Sequence, residues 1–188
     1  MPTDTIYGLA GQALSPQAVE KAYDLKGRTP DKPFIILIAG IEDLALFDIK
    51  LDPKTKAFLK KTWPNPVSVI LSCPGEKFAY LHRGTKSLAF RVPKDKNLRQ
   101  LLTQTGPLFA SSANLQDHFP AQTIAEAKRY FGKQADFYID RGKLSSPPST
   151  LIKIENQKIK ILRPGSFPVN IWVLQETDEG KNNKPVRK

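Results

Sequence analysis

The chain has 188 residues, 40% hydrophobic and 25% charged, with 29 lysines and arginines against 18 acidic residues and a formal net charge of +11. That length suits one domain whose core needs no disulfide framework, and the single cysteine, Cys73, has no second cysteine to pair with. The apolar runs are too short to span a bilayer and no signal-like segment opens the chain, so a reduced, cytoplasmic protein is expected. The positive charge either marks a polyanionic or phosphorylated ligand or serves solubility alone.

Met1-Pro2-Thr3-Asp4-Thr5 leads directly into Ile6-Tyr7-Gly8-Leu9-Ala10-Gly11. Such a polar cluster ordinarily closes an element, so the chain is expected to start late, one strand short. Ser15 caps and Pro16 opens a helix with Val19, Ala22 and Tyr23 at helical spacing, ended by Gly27. Residues 34–38 read as a buried strand, 42–47 as a short helix. Asp52-Pro53 starts a further helix, carrying Phe58 and Leu59 and stopped by Pro64. The β-branched run 67–73 predicts a central strand. Residues 79–82 are expected to form a short strand and 87–92 a firmer one. A helix over 98–102 and an extended segment over 107–111 follow. Thr123 and Glu126 stand at capping-box spacing ahead of a helix reaching Phe131, 137–139 reads as a strand, and 150–154 with 158–162 as a β-hairpin. Strands and helices alternate, yet the late hairpin demands an antiparallel pair: an α/β fold with a mixed sheet, one domain over residues 1–175. Residues 176–188 form a polar tail expected to be disordered.

No glycine-rich dinucleotide or Walker-type loop is present. Two histidines and one cysteine are too few for a Cys/His zinc site. Cys73 lies in an apolar strand run, His82 beside Arg83 at a strand end, and His118 in a loop without a base partner, so each reads as structural. Ser111-Ser112-Ala113-Asn114, Ser149-Thr150 and Thr3-Asp4-Thr5 are small polar clusters at element ends. They either let backbone N–H groups approach an anion or form plain turns. Lys26, Arg28 and Lys32 stand near a helix C-terminus, which by itself favours cations. Arg91 lies among apolar neighbours, where a guanidinium must be paired or face a ligand-filled cavity, and Arg163 ends the last strand. Together they point to an anion pocket that works by positioning and charge neutralisation, without a protein nucleophile. Asp4, the one acid among these clusters, is placed to orient a lysine or a water.

Pro2-Thr3-Asp4-Thr5-Ile6-Tyr7-Gly8-Leu9, Lys26-Gly27-Arg28, Lys32-Pro33, Trp63-Pro64-Asn65-Pro66, Phe90-Arg91-Val92-Pro93, Ser111-Ser112-Ala113-Asn114, Ser149-Thr150 and Arg163-Pro164-Gly165 stand in one order and spacing. In these the chain resembles the YrdC/Sua family of L-threonylcarbamoyladenylate synthases, in its short, single-domain type. The resemblance implies a YrdC-like twisted mixed sheet with flanking helices around a positively charged cavity. It implies conversion of L-threonine, bicarbonate and ATP, with Mg²⁺, to threonylcarbamoyl-AMP and pyrophosphate. The product would pass to a threonylcarbamoyl transferase complex that modifies adenosine 37 of tRNA. By the same resemblance Lys26, Arg28 and Arg91 are catalytic, Lys32, Ser112, Asn114 and Arg163 bind the nucleotide, Thr5 and Ser149 line the threonine end, and no residue ligates a metal. Two turns depart from the family pattern: Asn65 stands where glycine is usual, and Gln116-Asp117 where Ser-Gly is usual. The alternatives are a non-catalytic protein of the same fold that binds double-stranded RNA, tRNA or rRNA, and an inactive remnant lacking its first strand.

Overall fold

The computed structural model describes residues 1–29, 31–155 and 158–168. Seven strands, β1 (Gly8–Gln12), β2 (Ile35–Leu37), β3 (Val67–Ser72), β4 (Ser87–Arg91), β5 (Leu108–Ser112), β6 (Thr150–Glu155) and β7 (Lys158–Arg163), form one sheet in the order β1-β5-β2-β4-β3-β6-β7. β2 runs parallel to β4 and β3 parallel to β6, while the other neighbours are antiparallel. The mixed sheet and the late hairpin are as expected. Among the described residues five α-helices accompany it: α1 (Pro16–Lys26), α2 (Pro53–Thr62), α3 (Ala79–His82), α4 (Lys96–Thr105) and α5 (Ile124–Phe131). Ser15 accepts the Ala18 N–H at the start of α1, and Gly27, with φ of 56°, closes it in the left-handed conformation.

Cross-strand register sorts the side chains into two faces. Phe109, Ile36, Phe90, Val69 and Ile152 lie in one row across β5, β2, β4, β3 and β6. This row is buried beneath Val19 and Ala22 of α1, Phe58 and Leu59 of α2, and Leu81 of α3. The adjacent row, Ala110, Ile35, Ala89 and Ile70, points the other way. There α4 covers one end, packing Leu98 and Leu102 on Leu37, Leu108 and Ala110, and the small residues beyond leave a hollow. In β3, Val67, Val69 and Leu71 belong to the covered face, while Ile70 on the other face lines the hollow, so the apolar run 67–73 is interrupted by Ser68 and Ser72.

Two expectations for local structure are overturned. Residues 79–82 form helix α3, not a strand: Phe78, Leu81 and His82 are the buried side chains here, a spacing of three and four that belongs to a helix. Residues 137–139 form no strand. Phe137 and Ile139 are exposed while Tyr138 packs inward and its hydroxyl donates to Gly132 O at 2.8 Å, so the alternation is real but finds no neighbouring strand. The short helix expected over 42–47 is a 3-10 helix, Ile41–Phe47. Asn65 does not adopt a positive φ. Its side chain donates to Thr62 O at 2.7 Å, in a turn that contains a cis Trp63–Pro64 bond. Asp117, by contrast, takes a φ of 63°, the conformation that a glycine there would supply without strain.

The Thr3-Asp4-Thr5 segment is a chain reversal. Thr3 Oγ1 accepts from the backbone of Thr5 and Ile6 at 3.3 and 3.2 Å, Gly8 N donates to Met1 O at 2.8 Å, and Pro2 bridges Tyr7. The tail expected over 176–188 lies outside the described residues. Among the described residues no helix is long and apolar enough to cross a membrane.

Candidate active site

The uncovered part of the second sheet face is the floor of a cavity of about 680 Å³. Gly8, Ser87, Ala89, Ala110 and Ser112 line it from the strands, and their small side chains are what leave the volume open. The walls are the Thr3–Ile6 reversal, Arg28 and Lys32–Phe34 ahead of β2, the 119–122 segment and the 144–149 segment. Seven of the nine anticipated site residues reach it: Thr5, Arg28, Lys32, Arg91, Ser112, Ser149 and Arg163. They converge from nearly the whole described length of the chain.

Arg91 is buried at the end of β4. Its Nη2 stands 3.2 Å from Asp4 Oδ1, and the other carboxylate oxygen of Asp4 accepts the Lys94 N–H at 3.0 Å. Asp4 thus orients an arginine rather than a lysine side chain or a water. One Arg91 donor, Nε, is buried and without a hydrogen-bond partner. Burial lowers the Arg91 pKa, Asp4 raises it, and the neighbouring Arg163 guanidinium lowers it further. Two neighbouring guanidiniums, of which only Arg91 is paired with a carboxylate, leave a positive corner that favours an anion.

Arg163 donates from Nη2 to Ser149 O at 2.9 Å and towards Ser149 Oγ at 3.3 Å, and Ser149 Oγ lies 2.9 Å from Ser68 Oγ. The chain after Arg163 folds back over this serine, with Ser166 N donating to Pro148 O at 2.9 Å. On the opposite side, Arg28 Nε donates to Lys32 O at 2.8 Å and its guanidinium lies 5.3 Å above the Phe34 ring. Burial lowers its pKa too.

Lys26 and Asn114 do not line the cavity. The Lys26 side chain is buried, 2% exposed, and its Nζ donates to Ser112 O at 2.6 Å, to Asn114 O, and towards Asn114 Oδ1 at 3.4 Å. All three ammonium donors are therefore used inside the protein. Asn114 Nδ2 donates to Leu115 O and His118 O at 2.7 and 2.8 Å. The pair braces the end of β5 from behind, and in this conformation neither offers a donor to a ligand. Burial, and then the positive charge of Arg28, push the Lys26 pKa down to about 7.

Thr3, Ser87, Ser111, Ser145, Ser146, Phe119 and Gln122 also line the cavity, and sequence reasoning assigns none of them an individual role in the site. One signal was available in β4, Ser87-Leu88-Ala89-Phe90-Arg91. Its alternation of small and large side chains marks one packed face and one spacious face. The Ser145 and Ser146 segment carries no such pattern. Cys73, His82 and His118 lie away from the cavity walls. Cys73 is buried, and that burial pushes its thiol up to about 11. His82, on α3 rather than at a strand end, accepts the Gly84 N–H on Nδ1 at 3.1 Å.

Among the described residues no aspartate, glutamate, histidine or cysteine lines the cavity, and no three such side chains cluster anywhere to hold a metal. The site therefore does not fit a protein-held Mg²⁺, although a magnesium arriving on a nucleotide would keep its phosphate oxygens and waters as ligands. What the arrangement does provide is four cationic side chains and several hydroxyls around a hollow with no general base. That suits binding and orienting anionic reactants.

The Bacillus subtilis threonylcarbamoyl-AMP synthase is 34% identical over 171 residues, which cover 88% of this chain and 49% of that protein. The Thiobacillus denitrificans protein of the same name is 31% identical over 163 residues, 84% of this chain and 85% of its own length. The crystal structure of Pyrococcus abyssi Sua5 complexed with L-threonine matches with a TM-score of 0.81 at 29% identity, over 89% of this chain and 50% of that one. The chain thus spans about half the length of the Bacillus and Pyrococcus proteins and most of the Thiobacillus one. The family described as telomere recombination, comprising Sua5, YciO and YrdC, matches residues 1–165. A sheet with one spacious cationic face, carried by these residues in this order, is a member's architecture, and the chain belongs to the Sua5/YciO/YrdC family.

Proposed function

We propose that this chain condenses L-threonine, bicarbonate and ATP into threonylcarbamoyl-AMP, releasing pyrophosphate and water. The observation that supports it most is the cavity's composition. Arg28, Lys32, Arg91 and Arg163 surround it, and no aspartate, glutamate, histidine or cysteine stands among the lining side chains described, which suits a reaction between three anion-bearing substrates. The threonine amine attacks the bicarbonate carbon, forming a C–N bond and expelling water. A carbamate oxygen then attacks the α-phosphorus of ATP, and the bond to the β-phosphate oxygen breaks as pyrophosphate leaves. No step requires a covalent enzyme intermediate. The protein contributes alignment and charge compensation, which grow in value in a partly dry site.

In this reading Arg28, Lys32, Arg91 and Arg163 contact phosphate and carboxylate groups, and Thr5, Ser112 and Ser149 supply hydroxyls. Lys26 and Asn114 become positioning residues that hold Ser112, a revision of the catalytic and nucleotide-binding roles that the resemblance implies. The product is a reactive mixed anhydride, so a transferase that consumes it is its natural partner, with tRNA as final acceptor.

Pyrophosphate release by the full chain tests this directly. It is expected to require both L-threonine and bicarbonate, and Arg91→Ala is expected to lower it by about 100-fold, the usual cost of losing one preorganised donor. Equal release with and without threonine overturns the reading. Salt-sensitive binding of duplex RNA in the absence of any turnover would support the non-catalytic alternative.

A further inference from the structure

One side chain at the cavity is out of keeping with its surroundings. Phe119 lines the cavity yet is 91% exposed, more than any other large hydrophobic side chain among the described residues. Among those residues no aromatic ring pairs with it, although the neighbouring His118 meets Tyr130 edge-on at 5.8 Å. An unpacked phenyl ring gains free energy from any flat apolar surface laid against it.

The backbone beneath the ring is held from several sides. Tyr130 Oη donates to Phe119 O at 3.0 Å, Asn114 Nδ2 donates to His118 O at 2.8 Å, and Ala121 N donates to Ala113 O at 2.9 Å. Pro120 further restricts the residue before it to extended conformations. The ring therefore projects from a fixed stretch of chain rather than from a frayed loop. The wall that it shares with Pro120, Ala121, Gln122, Leu144, Ser145 and Ser146 carries no charge, whereas the cations enter from the connection before β2 and from the ends of β4 and β7. The cavity has a cationic region and an uncharged one that carries the exposed aromatic ring.

We propose that Phe119 stacks on the base of the bound nucleotide, with the phosphates directed to the cationic region. This rests on the nucleotide-dependent function proposed above and adds a residue to it. Stacking on a phenyl ring accepts any base with a π-face, so Phe119 provides affinity for a nucleotide over bare polyphosphate, while discrimination between bases falls to other groups.

Calorimetric titration of the full chain with ATP and with inorganic tripolyphosphate separates the two regions. Loss of one base–aromatic stack corresponds to roughly 5- to 150-fold in affinity. Phe119→Ala is therefore expected to weaken ATP binding by that amount and to leave tripolyphosphate affinity unchanged. Phe119→Trp is expected to retain ATP affinity, with indole fluorescence quenched by ATP and not by tripolyphosphate. Since the side chain is almost wholly exposed, neither substitution disturbs the core. Unchanged ATP affinity in Phe119→Ala, or an equal loss for both ligands, overturns the stacking role while leaving the proposed reaction intact. Failure of the wild-type chain to bind ATP removes the nucleotide reading itself.

Discussion

Gly165 shows how a single residue can be required by a contact far from it in the chain. A Cβ at this position would fall on Pro148 O and on the Ser149–Thr150 peptide, all backbone atoms that cannot rotate away. Only glycine lets the segment after Arg163 lie flat on the segment that presents Ser149. Gly165→Ala is expected to destabilise the protein by about 1–3 kcal/mol through this overpacking, lowering the urea midpoint. The same displacement moves the carbonyl that Arg163 grips, so tripolyphosphate affinity should fall with it. Asp117 makes the complementary point. It takes a left-handed φ where the family pattern has glycine, so the turn survives the replacement at the modest strain an aspartate tolerates there.

At the scale of elements, the cavity walls are loops, and their order depends on anchors at both ends. The 144–149 wall is tied at its far end by Arg163 and Ser68. Its near end is tied through the buried Tyr7, whose hydroxyl donates to Gly142 O at 2.7 Å and accepts the Arg141 N–H at 2.8 Å. An ion pair between Arg141 and Asp95, the N-cap of α4, adds a second tie. Tyr7→Phe keeps the ring and removes the hydroxyl, leaving two backbone groups unpartnered. It is expected to cost about 1–3 kcal/mol. Amide exchange should accelerate more in the loop around residues 140–144, which opens locally, than in β2 and β4, which pair with other strands and exchange only with global unfolding. Uniform acceleration throughout the sheet would show that Tyr7 serves global stability instead.

For the molecule as a whole, Lys26 couples stability to pH. Its folded pKa of about 7 lies below the usual lysine value of 10.5. Below pH 7 the folded and unfolded states both carry the proton, and the folded state bears the full cost of burying the ammonium. Between about 7 and 10.5 the unfolded state binds a proton that the folded state does not, so stability rises with pH across that window. Urea unfolding of the wild type and of Lys26→Met at roughly pH 7, 8 and 9 measures this. The wild type is expected to gain stability relative to the variant as pH rises, and two curves of equal slope would show that Lys26 does not titrate there. The net charge of +11 divides along the same lines. Arg28, Lys32, Arg91 and Arg163 face the cavity and Lys26 is sealed behind it, while the remaining cations belong to the rest of the chain.

Residue order alone was enough to determine the mixed α/β class, most element positions and the polar clusters that converge on the site. Capping, proline placement and β-branched runs are local signals, and they specify local structure. Arg91 could likewise be read as demanding a partner or a ligand, because a guanidinium among apolar neighbours has no other stable state. Tertiary structure alone decided which residues face the hollow. Lys26 and Arg28 flank Gly27, yet the turn there sends one side chain into the interior and leaves the other on the cavity wall. No local pattern distinguishes these outcomes, since each depends on which carbonyls of the β5 end lie within reach. Residues 79–82 and 137–139 escape a sequence reading for the same reason: a strand exists only where another strand pairs with it, and that pairing is decided by chain segments distant in sequence.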